Sequence, residues 1–291
     1  MKYALYVQLL LAVTLLAATG CGSRPDTEAD GRRTVTVSIP PQAWLLKAIA
    51  GDSVKVNTLM SAGTNPETFE PGVNTIRNAS TSDLLMLSGN LGFESTLARR
   101  IAANNPDVKV VDTSAGIDPI YGTHSHGNHT HTVADPHTWT SVRNARVIAS
   151  NMLASLIDID PARADYYSER AARLDAHLDS LDVAVAGRLD SLNVRSFMVW
   201  HPSLSYFARD YGLEQISLGA EGRETTIRGA QAVIDRASQR GTTVLFVQAD
   251  FDSDRARSLV SETGATLITI NPLDPDWEAQ INIITDALDP R

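Results

Sequence analysis

Histidine is the residue type whose distribution points most directly to chemistry in this chain. The 291-residue sequence has seven histidines, and four of them fall in the segment THSHGNHTH at residues 123–131. These four are His124, His126, His129 and His131. Imidazoles at this density in a Gly- and Asn-containing stretch are typical of segments that bind zinc and related metals weakly and in several ways. We therefore expect a flexible accessory metal-binding loop here.

Two other histidines lie where the backbone favours a fixed ligand. His137 sits in ADPHTWT (134–140), where Pro136 stiffens the turn and Asp135 is placed to orient an imidazole ring. His201 directly follows a predicted strand, and ligands of open parallel sheets bind outside the carboxyl ends of the strands. Residues that follow other predicted strands, and are expected at the same edge, are Gln248, Asp250 and Asn271.

These candidate ligands must be positioned by alternating strands and helices. Short apolar or β-branched runs predict strands at 34–39, 54–59, 84–87 and 108–111, and again at 197–200, 215–218, 243–247 and 266–270. Helical spacing predicts helices between them, including 42–50 and 142–157. Strands that alternate with helices indicate an α/β fold with parallel sheets.

A long helix is predicted between the two halves. An apolar stripe at three- and four-residue intervals runs through Leu174, Leu178, Leu181, Val185, Leu189 and Leu192. With Pro161 near its start, the helix would span 162–192, or ~45 Å. A dimeric coiled coil is the alternative, but α/β segments on both sides favour a rigid connector. The predicted organisation is an N-terminal lobe (34–160), a connector (161–192) and a C-terminal lobe (193–291).

The first residues predict export and a lipid anchor. A positive start, a short apolar run and small residues are typical of a signal peptide over residues 1–20. Cys21 is the only cysteine and lies where bacterial lipoproteins carry their acylated cysteine, so no intramolecular disulfide can form. The polar segment 21–33 reads as a flexible tether. We expect an extracytoplasmic protein held at a membrane by lipid.

The overall charge limits the class of partner. The chain has 25 Lys and Arg against 34 Asp and Glu, for a formal net charge of −9. An acidic chain without a basic cluster has little to hold a phosphate backbone, so we expect no nucleic-acid partner.

Five segments together resemble a known family. They are SIPPQAWLLKAIAGD near the start, SAGTNPETFEPG at 61–72, ADPHTWT at 134–140, MVWHPSLSYFARDYGL at 198–213, and FVQADF with the closing ITINPLDP. They resemble the zinc- and manganese-type solute-binding lipoproteins of bacterial ABC importers (cluster A-I, ZnuA/TroA-like). The resemblance implies two α/β lobes joined by a long rigid helix, a metal held between them, and no catalytic activity. It also implies an inner-membrane ABC permease and its ATPase as partners; we expect a monomer.

The resemblance implies a ligand set with two departures from the family pattern. Its three histidine positions fall on Glu67, His137 and His201, and its aspartate falls on Asn271. The Glu67 carboxylate suits zinc and manganese, whereas neutral Asn271 is a poor zinc ligand. We therefore expect three protein ligands, with Asn271 a candidate fourth position and water or a loop histidine completing the shell.

The ligand types favour zinc without settling the metal. Two imidazoles and one carboxylate recur in catalytic zinc sites and also hold iron(II). A His-rich loop is associated with zinc members of the family, so zinc is expected, with manganese and iron(II) as alternatives. Protons compete for imidazole, so metal affinity should fall as the pH drops through ~6.5.

Two other functions remain alternatives. One is a metal-dependent hydrolase, although no HExxH motif is present, and the other is an adhesion or surface lipoprotein.

Overall fold

The computed structural model describes residues 31–126, 129–218, 227–249 and 263–290. The expected signal peptide, Cys21, most of the tether and Asp250 lie outside these residues. The chain from residue 33 onward forms one unit, to which the following description is confined. No helix within the described ranges combines the length and the apolar composition that crossing a bilayer requires.

The first sheet is fully parallel, with strands β1 (Arg33–Val37), β2 (Val54–Thr58), β3 (Leu84–Leu87) and β4 (Lys109–Asp112) in the order β2-β1-β3-β4. Helices α1 (Pro40–Ala50), α2 (Val73–Ser80) and α3 (Glu94–Asn104) connect the strands. Successive residues of the central strands β1 and β3 are buried, as expected where a parallel sheet is covered on both faces.

The His-rich segment forms a two-stranded antiparallel ribbon, not the irregular loop expected from its composition. Strand β5 (Tyr121–His126) pairs with β6 (His129–Ala134), so that His124 lies opposite His131 and His126 opposite His129. Asp135 N donates to Ile120 O at the base of the ribbon, 2.7 Å away. The sequence carried a hairpin signal, because β-branched threonines alternate on both sides of a Gly-Asn dipeptide.

The long helix predicted between the halves is present. After α4 (Val142–Ile159) and a 3₁₀ turn (Pro161–Arg163), helix α5 runs from Ala164 to Leu189, which is 26 residues or about 39 Å. Its stripe faces inward, with Leu174, Leu178, Val185 and Leu189 buried. On its other side, Arg146 of α4 pairs with Asp175 and Asp179 of α5 at 2.7 and 2.6 Å.

The second sheet repeats the winding of the first. Strands β7 (Ser196–Val199), β8 (Glu214–Ser217), β9 (Val244–Gln248) and β10 (Thr266–Ile270) are parallel, in the order β8-β7-β9-β10. Among the described residues of this lobe, the helices with known bounds are α6 (Ser205–Asp210), α7 (Ile227–Arg240) and α8 (Trp277–Leu288). In both sheets the second strand lies on one side of the first, and the third and fourth lie on the other. The expected fold class, two α/β lobes with a long joining helix, is confirmed.

The larger of two hydrophobic clusters joins the lobes. It extends from Val35 in β1 through Trp139 and Leu178 to Phe246 in β9 and Ile281 in α8, whereas a smaller cluster around Met198 and Leu245 lies within the C-terminal lobe. Helix α5 packs against α1, α4 and α8. Its His177 is half exposed and forms a 2.8 Å hydrogen bond with Glu278 of α8.

Candidate metal centre

His137 is held rigidly at the junction of the lobes. Its side chain is buried, and it immediately precedes the 3₁₀ turn Thr138–Thr140. Its carbonyl oxygen accepts hydrogen bonds from the Thr140 main chain at 3.2 Å and hydroxyl at 2.9 Å. The stiff turn expected from the proline in this segment is therefore observed.

Asp135 orients the His137 ring, as its position in the sequence indicated. Its Oδ1 lies 2.8 Å from His137 Nδ1 and 2.9 Å from the His137 main-chain nitrogen. Burial alone would raise the pKa of Asp135, but hydrogen bonds from His137 and the Ser205 hydroxyl outweigh it and lower the pKa. The ionised carboxylate accepts the Nδ1 hydrogen, so the lone pair of His137 Nε2 is available for a metal.

The start of helix α6 supports Asp135 from the other lobe. Tyr206 Oη donates to the main-chain oxygen of Asp135 at 2.9 Å and accepts from Ile120 N at 3.3 Å. The Arg209 guanidinium lies 5.0 Å from the Tyr206 ring centre and donates to Asp118 O at 2.8 Å. The second lobe thus fixes the base of the His-rich ribbon and the residue that orients His137.

Two indole groups close the same junction. Trp139 Nε1 donates to Pro272 O at 2.8 Å, and Trp277 Nε1 donates to Trp139 O at 2.7 Å. The Trp139 ring also lies against the His137 ring, with centroids 5.3 Å apart. These contacts join the ADPHTWT segment to the loop after β10 and to helix α8.

His201 comes from the carboxyl end of β7, as expected for a ligand of a parallel sheet. Trp200 N continues the pairing of β7 with β9 by donating to Phe246 O at 2.9 Å, and the chain then turns, with Ser203 N donating to His201 O at 2.7 Å. The His201 side chain is 14% exposed. Its ring meets that of His137 edge to face, with centroids 5.2 Å apart.

Glu67 reaches the site from the loop between β2 and α2. Its main-chain nitrogen donates to Asn65 Oδ1 at 2.9 Å, and its side chain is 23% exposed. The loop packs against the first lobe through Phe69, whose ring contacts that of Phe93 edge to face with centroids 5.0 Å apart.

Glu67, His137 and His201 converge although they are distant in sequence. His201 Nε2 lies 3.2 Å from Glu67 Oε1 and 3.4 Å from His137 Nε2, and one ligand atom from each residue lies within 4.8 Å of the others. Zinc bound tetrahedrally at ~2.0–2.1 Å needs neighbouring ligand atoms about 3.3 Å apart. The two separations from His201 Nε2 match this edge length and the third is within 4.8 Å, so the three side chains could hold a single divalent ion.

Asn271 lines a cavity together with Gln248 and with His137, one of the three converging residues. Its Oδ1 accepts a hydrogen bond from Leu273 N at 3.1 Å, and its main-chain nitrogen donates to Gln280 Oε1 at 2.8 Å. The oxygen that would bind a metal is thus engaged in a local turn. For the four histidines of the ribbon, the structure describes only the pairing of their backbones.

Sequence reasoning missed Glu94, a buried carboxylate at the start of α3. It accepts hydrogen bonds from the main-chain nitrogens of Ser88, Gly89 and Leu91 at 2.7, 2.9 and 3.3 Å, and from the Ser38 hydroxyl. Burial raises the pKa of Glu94 to about 7 against these bonds. Glu94 orders the carboxyl ends of β1 and β3, and it directly follows Phe93 in the chain. An acid at a helix start beside a Ser-Gly-Asn turn was the available signal.

Comparison with known proteins gives consistent results. The family model described as zinc-uptake complex component A, periplasmic (ZnuA), matches residues 35–287. Zinc-binding lipoprotein AdcA of Streptococcus pneumoniae R6 is 25% identical over 284 residues, which cover 94% of this chain and 55% of AdcA. The chain thus spans about half the length of that relative. Metal ABC transporter substrate-binding lipoprotein FimA of Streptococcus parasanguinis is 24% identical over 277 residues, covering 90% of this chain and 87% of FimA.

A solved structure agrees with the family match. A crystal structure of ZnuA superposes with a TM-score of 0.80 and 31% identity, covering 89% of this chain and 98% of that one. Residues 35–287, which the family model matches, contain the long helix and the positions of Glu67, His137 and His201. The chain belongs to the periplasmic zinc-uptake complex component A (ZnuA) family.

Proposed function

We propose that this protein is an extracytoplasmic substrate-binding protein that captures a divalent transition metal, zinc foremost, and delivers it to an ABC permease. The ligands are Glu67, His137 and His201. The observation that carries the proposal is the separation of 3.2 and 3.4 Å between their donor atoms, which matches the edges of a zinc tetrahedron. Family membership supports the transport role.

The chemistry of the donor set supports the binding of a divalent transition metal. Asp135 presents a neutral His137 ring to the metal, and the Glu67 carboxylate supplies one negative charge. Zinc, manganese and iron(II) all accept such a set, and two imidazoles favour zinc over manganese. The role of the protein is then to exclude bulk water partially and to release the ion to its partner.

The expected N-terminal processing completes the proposal. Cleavage after residue 20 and lipidation of Cys21 would hold the protein on the outer side of the cytoplasmic membrane or at the cell surface, where the permease would receive its cargo. The four ribbon histidines would serve as an accessory, weaker metal-binding segment.

Metal binding is tested by removing metal with a chelator and titrating zinc, manganese and iron(II) against a chromophoric competitor. We expect one tight site that prefers zinc in the wild type, and loss of it in His137→Ala and His201→Ala. His177→Ala is the matched control, because it removes an imidazole of the connector helix α5 that is hydrogen-bonded to Glu278 of α8. Tight binding that survives both site substitutions would contradict the assignment.

Delivery is tested in cells by deleting the gene and measuring zinc uptake and growth under zinc limitation. The wild type and His177→Ala should restore uptake, and His137→Ala should not. Metal-dependent hydrolytic turnover by the pure protein would favour the hydrolase alternative. Unfolding upon metal removal, together with unchanged uptake in the deletion strain, would favour a surface lipoprotein with structural metal.

A further inference from the structure

We propose that the captured metal is bound together with a small carboxylate-type anion, such as formate, acetate or bicarbonate. One oxygen of the anion would take the open coordination position, and the other would accept a hydrogen bond from the Asn271 side-chain amide. This inference rests on the proposed function and specifies the form in which the cargo is held.

The first step is the charge of the site. Two neutral imidazoles and one carboxylate leave a bound dication and its three ligands with a net charge of +1, and the ionised Asp135 behind His137 offsets part of this charge from outside the ligand shell. His137 is fully buried, and His201 and Glu67 are 14% and 23% exposed, so bulk solvent screens the remaining charge incompletely. One monovalent anion as the fourth ligand makes the ligand shell itself neutral, which water does not.

The second step is the orientation of Asn271. Because its Oδ1 accepts from Leu273 N, the Nδ2 group is what the side chain offers to the cavity that it shares with His137. Amide hydrogens are donors and do not bind a cation, but they do bind the free oxygen of an anion. The bond from Asn271 N to Gln280 Oε1 keeps the residue in this position.

The third step is the lining of that cavity, which is partly open to solvent and has about 350 Å³ of empty space when the adjoining solvent is included. Apart from His137, its described polar lining consists of Thr64, Gln248 and Asn271, which are all neutral and all able to donate hydrogen bonds. The remaining described lining residues are glycine or apolar: Gly63, Pro66, Trp139, Ala249, Pro272 and Leu273. None of the described lining residues carries a carboxylate. Neutral hydrogen-bond donors next to a bound cation favour the binding of an anion at this position.

The test measures zinc affinity as a function of the anion. Metal-free protein, in buffer purged of carbon dioxide, is titrated with zinc against a chromophoric chelator in formate, acetate, bicarbonate or perchlorate at equal ionic strength. Chelator-only titrations in each salt correct for zinc–anion complexes. We expect zinc affinity to be about tenfold higher in formate or bicarbonate than in perchlorate, as one added ion contact would give.

Asn271→Asp is the decisive variant, because aspartate is nearly isosteric and can still accept from Leu273 N. It supplies the missing carboxylate itself, so its zinc affinity should be high in perchlorate and independent of added formate. A second readout is the visible absorption of the cobalt(II)-loaded protein. Formate should change the ligand-field bands of the wild type and leave those of Asn271→Asp unchanged.

The outcomes separate the two proposals. Tight zinc binding of equal strength in formate and perchlorate would overturn the anion inference and leave the proposed function intact. An anion effect of the same size in Asn271→Asp would also overturn it, since the anion would then act elsewhere. No zinc binding in any salt would contradict the proposed function and this inference with it.

Discussion

The two segments that bring N-terminal-lobe ligands to the site differ in how firmly they are held. The segment with His137 is buried, and it is bonded to Asp135, to Thr140 and, through Trp139, to the second lobe. The loop with Glu67 has exposed residues at 61–63, and its ring contact with the lobe is through Phe69. One side of the site is therefore preorganised, and the other can adjust to the ion. Preorganisation reduces the ordering cost of binding, so the two ligands should contribute unequally.

The largest effect should come from removing one ligand at a time. We expect His137→Ala to weaken zinc binding on the order of 10³-fold and Glu67→Ala roughly 30-fold, because the more exposed Glu67 side chain loses more conformational entropy when it binds the ion. Competition titration of both variants beside His177→Ala measures this. A greater loss in Glu67→Ala than in His137→Ala would reverse the comparison.

Next in size is the loss of the group that orients the fixed ligand. Asp135→Asn should weaken zinc binding by about 10–100-fold, the usual cost of losing the carboxylate behind a metal-bound histidine. The same titration measures the change, and Asp107→Asn, at an exposed position, is the control. Wild-type affinity in Asp135→Asn would show that the turn alone fixes the ring.

The support beneath the Glu67 loop should appear as a pH effect on stability. Burial raises the pKa of Glu94 from 4.5 to about 7. Between these values the folded state keeps a proton that the unfolded chain has lost, so the Glu94 contribution is complete below pH 4.5 and is lost as the pH rises through 7. We expect the free energy of unfolding to fall by about 3 kcal/mol across this window.

Urea unfolding at pH 5 and pH 8 checks this prediction through its pH dependence. Glu94→Gln is expected to be less stable than the wild type at both pH values, because the NH2 group of its amide faces main-chain donors. Its free energy of unfolding should, however, lack the part of the fall between pH 5 and pH 8 that Glu94 causes. Glu70→Gln, at an exposed position, should retain the wild-type decline. Equal declines in both variants would remove Glu94 as the source.

The smallest effect is expected from the ribbon. Deleting residues 124–131 should leave the affinity of the tight site within about threefold of wild type, while removing weaker additional zinc. The bond between Asp135 N and Ile120 O lies outside the deletion, so the base of the segment keeps its tie to the site. Titration of the deletion variant measures both classes of zinc. Loss of tight binding would move the primary site into the ribbon.

Much of the fold could be predicted because its signals are local. The strands Leu84–Leu87 and Thr266–Ile270 have the predicted limits, and the other predicted strands differ by one or two residues at their ends. The leucine stripe identified α5, which ends three residues before its predicted end because the turn at 190–192 breaks the helical bonding. Apolar periodicity reports burial, and burial determines these elements.

The site was only partly accessible from sequence. Asp135 and His137 are two residues apart, so local geometry predicted their contact. The bonds of Trp139 to Pro272 and of Tyr206 to Asp135 join residues far apart in the chain, and no local pattern encodes them. The role of Asn271 depends on which amide atom meets Leu273, which only the folded turn determines.

The continuous core has a consequence for heat denaturation. Because the larger cluster of side chains passes through both sheets and the long helix, loss of packing in one half would also disrupt the core of the other. Calorimetry should therefore record a single endotherm, with calorimetric and van't Hoff enthalpies in agreement. A metal ion bound between the lobes would then raise the melting temperature of the entire unit, and the size of the rise would report the affinity for the ion.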